Sequence, residues 1–190
     1  MIDINLPMSE ADARKLRMGD EVRLNGRMVT ARDAGHKLMV EKKPKWLRPL
    51  LEGSAIYHCG PVVARVRGEY VFTAAGPTTS IREEPYQGQV IGEYKVRGVV
   101  GKGGMGAATQ AALQKYGAVY LHAIGGAAAL LAGCVTRVES VYMLEEFGMP
   151  EAFWVIQVKD FPVVVTMDST GASLHESVHA RSAEALRRLL

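Results

Sequence analysis

Apolar and polar positions alternate over short stretches in the middle of the chain, and the period changes further on. Ala55 to Tyr57, Val62 to Val66 and Tyr70 to Ala74 read as short strands, punctuated by Gly60-Pro61 and Arg67-Gly68. Upstream, Glu21 to Leu24 and Arg27 to Ala31 flank Asn25-Gly26, a dipeptide suited to the tight turn of a β-hairpin. Downstream, a strand over Val96 to Val100 precedes a helix over Ala107 to Tyr116. A strand over Val119 to Ile124 and a helix over Ala127 to Leu131 follow. Alternation of strand and helix predicts α/β layering. Trp154 to Val158 and Val163 to Met167 predict a late hairpin around Lys159-Asp160-Phe161-Pro162. Helices are also expected from the Ser9 cap to about Met18-Gly19, over Arg32 to Lys42, over Glu83 to Tyr94, and over His175 to Leu190. Gly35 weakens the second of these, and the last carries Val178, Ala185, Leu186 and Leu189 as its apolar side. No repeat, low-complexity tract or linker interrupts the pattern. The expectation is one α/β domain over residues 1–190, mixing sheet and helices.

Composition changes this picture little. Hydrophobic residues make up 48% of the 190 and charged residues 23%, enough for a real core. The net charge of +3 is mild and not gathered into runs. Lys42, Lys43, Lys45 and Arg48 form the densest basic group, and a solvated loop explains them as well as a nucleic-acid patch does. Cys59 and Cys134 have no CxxC spacing and no histidine cluster beside them, so neither a metal site nor a disulfide framework is visible. Met1-Ile2-Asp3 does not open a secretion signal. The apolar run Ala123 to Val135 is broken by glycines and shorter than the roughly 18–20 residues of a membrane span. A cytoplasmic protein without nucleic-acid or membrane partners is expected.

Three loops hold candidate chemistry. Gly76-Pro77-Thr78-Thr79-Ser80-Ile81-Arg82 leaves a strand and enters a helix. Free backbone N–H groups at such a junction attract anions, and an arginine can clasp a carboxylate with two parallel hydrogen bonds. A capping loop, with the hydroxyls satisfying backbone donors, explains the same residues equally well. Gly101-Lys102-Gly103-Gly104-Met105-Gly106 lets backbone approach a ligand and adds one cation. It lacks the GxxxxGK[ST] order of a P-loop. Arg32 and His36 fall four apart, so on a helix they share a face, a cation beside a group of reference pKa about 6.5. A surface helix with Arg32 paired to Asp33 or Glu41 is the simpler account of that pattern. His58, His122, His175 and His179 have no spacing that singles them out.

The three loops together, GPTTSIR at Gly76 to Arg82, GKGGMG at Gly101 to Gly106 and TARDAGHK at Thr30 to Lys37, resemble the β subunit of class I fumarases and L-tartrate dehydratases. IYHCGPVV at Ile56 to Val63, FGMPEAFW at Phe147 to Trp154 and VVVTMDSTG at Val163 to Gly171 fit the same family, in the same order. The resemblance implies a swivelling β/β/α fold. It implies a partner α subunit that holds a [4Fe–4S] cluster through three cysteines and leaves one iron open to substrate, within a hetero-oligomer. Two cysteines in this chain cannot supply the usual thiolate set for a cluster, which agrees. Residue by residue, the resemblance makes Arg32 and Arg82 clamps for substrate carboxylates. It makes Thr78 and Thr79 a hydroxyl pair over the substrate, with Thr79 as the base. Lys102 becomes a further binding or activating cation, and His36 a catalytic position.

The implied reaction is hydration of fumarate to L-malate and its reverse, with L-tartrate to oxaloacetate as the alternative. It needs a base beside one carboxylate, cations for the carbanion-like state, and a Lewis acid for the departing hydroxyl. A threonine hydroxyl is a weak base unless nearby cations favour its alkoxide. A histidine is chemically easier, so Thr79 and His36 both stay open as the base. A non-catalytic anion-binding module is the reading from a different class.

Overall fold

A computed structural model describes residues 1–189. A seven-stranded sheet runs in the order β1-β2-β3-β6-β7-β9-β8. Its strands are β1 (Ile2–Leu6), β2 (Glu21–Thr30), β3 (Ala55–Tyr57), β6 (Gly98–Gly101), β7 (Val119–His122), β8 (Val135–Tyr142) and β9 (Phe153–Met167). β4 (Val62–Val66) and β5 (Glu69–Ala74) form a separate hairpin. β1, β2, β3, β6 and β7 pair in parallel. β9 runs antiparallel to β7 and also to β2, which closes β2-β3-β6-β7-β9 into a ring. The mixed α/β class expected from the alternation is the one observed.

Parallel neighbours need crossovers, and helices supply them. α2 (Asp33–Lys42) and α3 (Arg48–Leu51) join β2 to β3, α4 (Glu84–Tyr94) leads into β6, and α5 (Ala107–Tyr116) joins β6 to β7. Side chains alternate between two cores, as the two-residue strand period requires. Leu24, Met28, Tyr57, Val100, Leu121, Trp154 and Ile156 fill the inside of the ring. Val29, Ile56, Val99, Tyr120, Phe153 and Val155 point outward, where Met39, Leu47, Leu51, Val90, Ile91 and Leu113 cover them. Burial on both faces explains the near-continuous apolar runs of β3, β6 and β7. α1 (Glu10–Ala13), α6 (Ala128–Gly133), α7 (Leu144–Phe147) and α8 (Leu174–Leu189) complete the helices. Ser9 caps α1 by accepting the Asp12 N–H at 3.1 Å, as its sequence position predicted. The apolar side expected on α8 is not buried: Val178, Leu186 and Leu189 are exposed. Among the described residues no helix is long and apolar enough to cross a membrane.

Both hairpins expected in the ring are corrected. Asn25-Gly26 does not turn the chain, because β2 runs straight through it. The residues that alternate on either side find longer partners than each other, β1 then β3 on one edge and β9 along the other. Lys159 to Pro162 likewise lie inside the continuous β9. The two irregularities face one another: Leu24 pairs with Phe161, Gly26 pairs with Val158, and the Asp160 N–H donates to Asn25 Oδ1 at 2.9 Å. Turn-forming residues here make a bulge that bends the ring. β1 and β8 had no counterpart in the pattern reading.

Gly26 has φ +106°, and a Cβ there would lie 2.4 Å from the Leu6 carbonyl oxygen. Gly26→Ala is therefore expected to lower unfolding free energy by about 2–3 kcal/mol, combining backbone strain with overpacking. Urea denaturation checks this, and an unchanged midpoint would remove the glycine's assigned role.

Candidate active site

In α/β sheets, ligands gather where the carboxyl ends of parallel strands release their loops. Two of the expected segments leave the ring there, and the third, which follows β5 of the separate hairpin, is docked against them. Arg32 follows β2 and stands at the N-cap of α2, and Lys102 follows β6. Pairing continues one residue past the strands, since Ala31 N–H donates to the Tyr57 carbonyl at 3.0 Å and His58 N–H to that of Val100 at 2.8 Å. The Thr78–Ser80 loop is stitched onto Lys102 in turn. Thr79 and Lys102 form a parallel bridge, Lys102 N–H donates to the Thr78 carbonyl at 3.3 Å, and Ser80 N–H to the Lys102 carbonyl at 2.9 Å. Gly101 makes this approach possible, because a Cβ there would lie 1.9 Å from Ser80 Oγ.

The polar side chains are arranged by charge. Arg82 donates from Nε and a terminal nitrogen to the two oxygens of Asp33, at 3.1 and 2.8 Å. Arg32 Nε lies 3.3 Å from Glu151 Oε1, an ion pair too oblique for a hydrogen bond. Gly60 leaves room for that guanidinium, since a Cβ at Gly60 would meet it at 2.6 Å. Thr78 and Lys102 are half-buried and Thr79 is exposed. Among the described residues Lys102 has no carboxylate partner within ion-pair distance.

Beneath these loops runs a buried polar chain. His36 and His58 are fully buried, with rings edge-to-face at 5.0 Å. Their Nε2 atoms lie 2.9 and 2.8 Å from the Gln87 amide. His36 Nδ1 faces the Arg32 carbonyl at 2.9 Å, and His58 Nδ1 faces Ser80 Oγ at 2.9 Å. Tyr120 donates its hydroxyl to Ser80 at 2.8 Å and accepts the Gly104 N–H at 3.3 Å. Two proton arrangements satisfy this chain. With the amide oxygen toward the rings, both donate through Nε2. His36 is then a cation, because its Nδ1 also faces a carbonyl. With the amide NH2 toward the rings, both accept and stay neutral. Burial pushes the His36 ring down from the ordinary histidine range and His58 down to about 3, which favours the neutral arrangement.

The profile of the Fumarase C-terminus family matches residues 1–178, a span that holds every residue of this site. The chain belongs to that family. It is 50% identical over 188 residues to a Geobacillus stearothermophilus protein provisionally named class I fumarate hydratase, covering 98% of this chain and 36% of that protein. It is 42% identical over 186 residues to a Methanocaldococcus jannaschii protein provisionally named L(+)-tartrate dehydratase subunit beta, covering 96% of this chain and 95% of the relative. To L(+)-tartrate dehydratase subunit beta of Escherichia coli it is 38% identical over 175 residues, with 90% and 85% covered. The chain thus spans about a third of the fumarase relative and most of the tartrate dehydratase β subunits.

Within this fumarase C-terminal fold, the six expected residues Arg32, His36, Thr78, Thr79, Arg82 and Lys102 lie on neighbouring loops and the helical turns that follow them. They do not share one environment. Arg82 and Thr79 are exposed, whereas His36 is sealed, with both ring nitrogens engaged and none directed at a ligand. Pattern reading missed Gln87 and Tyr120 and gave no special role to Ser80 or His58, whose link is spatial. It also missed Glu83, a fully buried carboxyl 3.5 Å from His36 Nδ1. The only local signal was polarity at positions that the α4 period turns inward, such as Gln87. Cys59 is buried, Cys134 is half-buried, and both are free thiols. Among the described residues no group of three or more His, Cys, Asp or Glu could hold a metal ion. The residues present therefore do not fit an iron–sulfur cluster.

Rings whose titration is depressed by burial stay neutral in the folded state while the unfolded chain gains protons below about pH 6.5. Each ring thus costs stability as pH falls below that value. For His58 the cost reaches about 2 kcal/mol at pH 5 and keeps growing toward pH 3. Nitrogen-15 NMR of the histidine rings is expected to show His36 and His58 neutral from pH 8 to pH 5. An imidazolium spectrum for either at pH 6 would exclude the neutral arrangement.

Proposed function

We propose that residues 1–190 act as one domain, the β subunit of a hydro-lyase that reversibly hydrates fumarate to L-malate. A partner α subunit carries the [4Fe–4S] cluster in this reading, since this chain's residues do not fit one. The observation that carries it is the convergence of Arg32, Arg82, Lys102, Thr78 and Thr79 at the carboxyl ends of the parallel strands. A dicarboxylate needs two cationic ends, and a proton must leave the carbon beside one of them. Arg82 already holds a carboxylate bidentately, that of Asp33, in the geometry a substrate carboxylate would take. Arg32 is held for the other end by the α2 N-terminus. Lys102, without a carboxylate partner among the described residues, stands beside the exposed Thr79 through the backbone bridge. There a cation favours the ionised hydroxyl. Thr79 takes the proton, and the cations stabilise the negative charge left on the substrate. His36 acts from below, by holding the Arg32 carbonyl. Thr79 and Arg82 open to solvent, so in this reading a second wall comes from the partner subunit, which also accounts for departure of the hydroxyl.

L-tartrate is the second reading, and chain length favours it: the β subunits named for L(+)-tartrate dehydratase match this chain nearly end to end. Higher identity to the fumarase relative favours fumarate. Oxygen-free co-expression with an α-type subunit, followed by assays on both acids, decides between them. Absence of a stable complex, or activity toward neither acid, overturns the proposal and leaves an anion-binding module.

Arg82→Ala and Lys102→Ala in the complex are each expected to lower kcat/KM about 10²–10³-fold with the fold intact by circular dichroism. Near-normal turnover would refute those roles. For the base, Thr79→Val should abolish most turnover, while His36→Gln should retain a measurable kcat. The reverse ranking would make His36 the base.

A further inference from the structure

Glu83 is completely buried, and neither carboxyl oxygen has a hydrogen-bond partner among the described residues. The cations nearby are already matched. Arg82 is bound by both oxygens of Asp33, and Arg32 lies 3.3 Å from Glu151 and 3.8 Å from Asp33. Two guanidinium groups face two partly exposed carboxylates, which leaves none for the third and deepest. The adjoining Glu84 turns away, accepting from Gly106 N–H at 2.8 Å and the Thr109 hydroxyl at 2.7 Å. Among the described residues His36 Nδ1, at 3.5 Å, is the titratable group within ion-pair distance of Glu83, with His58 behind it across Gln87.

We propose that Glu83 is a positioning residue: together with His36 it retains one proton up to about neutral pH, which keeps Arg32 and Arg82 available to a dicarboxylate. A buried carboxylate with neither donor nor free cation is strongly disfavoured, so the carboxyl holds a proton or takes an imidazolium as its partner. These alternatives are the two arrangements of the Gln87 amide, and they differ by moving that proton between Glu83 and His36. Burial pushes the Glu83 carboxyl up to about 7, helped by Asp33 and Glu151 and opposed by Arg82 and Arg32. Burial pushes His36 down, so the proton resides on Glu83. Above the pair's titration the deprotonated carboxylate competes for both arginines. A bound dianion adds negative charge beside the pair, so binding and proton retention reinforce one another.

The role in substrate binding rests on the hydro-lyase reading, but the proton does not. Carbon-13 NMR of the glutamate carboxyls in this full chain is expected to show one resonance titrating with a midpoint near 7, absent in Glu83→Gln. If that variant fails to fold, assignment of the wild-type Glu83 resonance through its backbone gives the same answer. Titration of Glu83 in the ordinary carboxylate range, with a neutral His36, would overturn the proposal whatever the enzyme does. In the reconstituted complex, KM for fumarate should rise about tenfold per pH unit above neutrality while kcat moves little. In Glu83→Gln, the isostere of the protonated acid, KM should stay flat. An equal rise in both proteins would overturn the positioning role. An inactive complex alongside a high Glu83 midpoint would sink the hydro-lyase reading and leave the protonated pair standing.

Discussion

Pairing of β9 with both β2 and β7 is the constraint on which the rest depends. Without it the parallel strands would form an open sheet with β2 lacking its long antiparallel neighbour. With it, one face of each ring strand is enclosed, and the other lies under helices along β3, β6, β7 and the adjoining ends of β2 and β9. Backbone polar groups are consumed by the ring, and apolar side chains fill both layers. Polar loops can then emerge only at the ends. Because β2, β3 and β6 run in parallel, their carboxyl ends share one rim, and residues as distant in sequence as Arg32, His58 and Lys102 become neighbours.

That rim is held from beneath. Gln87 reaches from α4 to two histidines, one on the Arg32 helix and one at the end of β3. Ser80 joins His58 to Tyr120, and Tyr120 takes the Gly104 N–H of the glycine loop. Every loop with a candidate binding group is thereby tied to the others by buried hydrogen bonds, which are costly to leave half-made. A shift in one loop strands a polar partner in another. This arrangement also explains the two kinds of side chain present. Exposed groups such as Thr79 and Arg82 can meet a ligand, and sealed ones such as His36 and His58 are placed to orient them.

Internal carboxylates shape the electrostatics. Asp33 and Glu151 already compensate Arg82 and Arg32, so under the proposed function a dicarboxylate would exchange with them rather than arrive at bare cations. Exchange of one carboxylate for another costs less than desolvating an unpaired guanidinium, and it keeps both arginines aimed at the rim in the meantime. Lys102 differs, with no such partner among the described residues. The third carboxyl, Glu83, gains nothing from this balance and is the group whose charge the site can least accommodate.

Much of this was legible along the chain. Period and punctuation located β3, β4, α2, α4 and α5 closely, because each is a local amphipathic or buried element whose signal lies within its own residues. Motifs of Gly, Thr, Arg and Lys marked the loops, and resemblance to the fumarase and tartrate dehydratase β subunits supplied roles that composition could not. Asn25-Gly26 and Lys159 to Pro162 misled for one reason: the same φ-positive residues serve a tight turn or a bulge, and only the available partner strand decides which. Gln87, Tyr120 and Glu83 carried no motif, since their meaning lies in contacts across tens of residues. The sequence by itself determined the family, the α/β class and the cationic loops, all written in local pattern. Tertiary structure alone decided that the ring closes, that His36 is sealed beneath Arg32, and that Glu83 is left without a partner, because burial and pairing are properties of the packed chain.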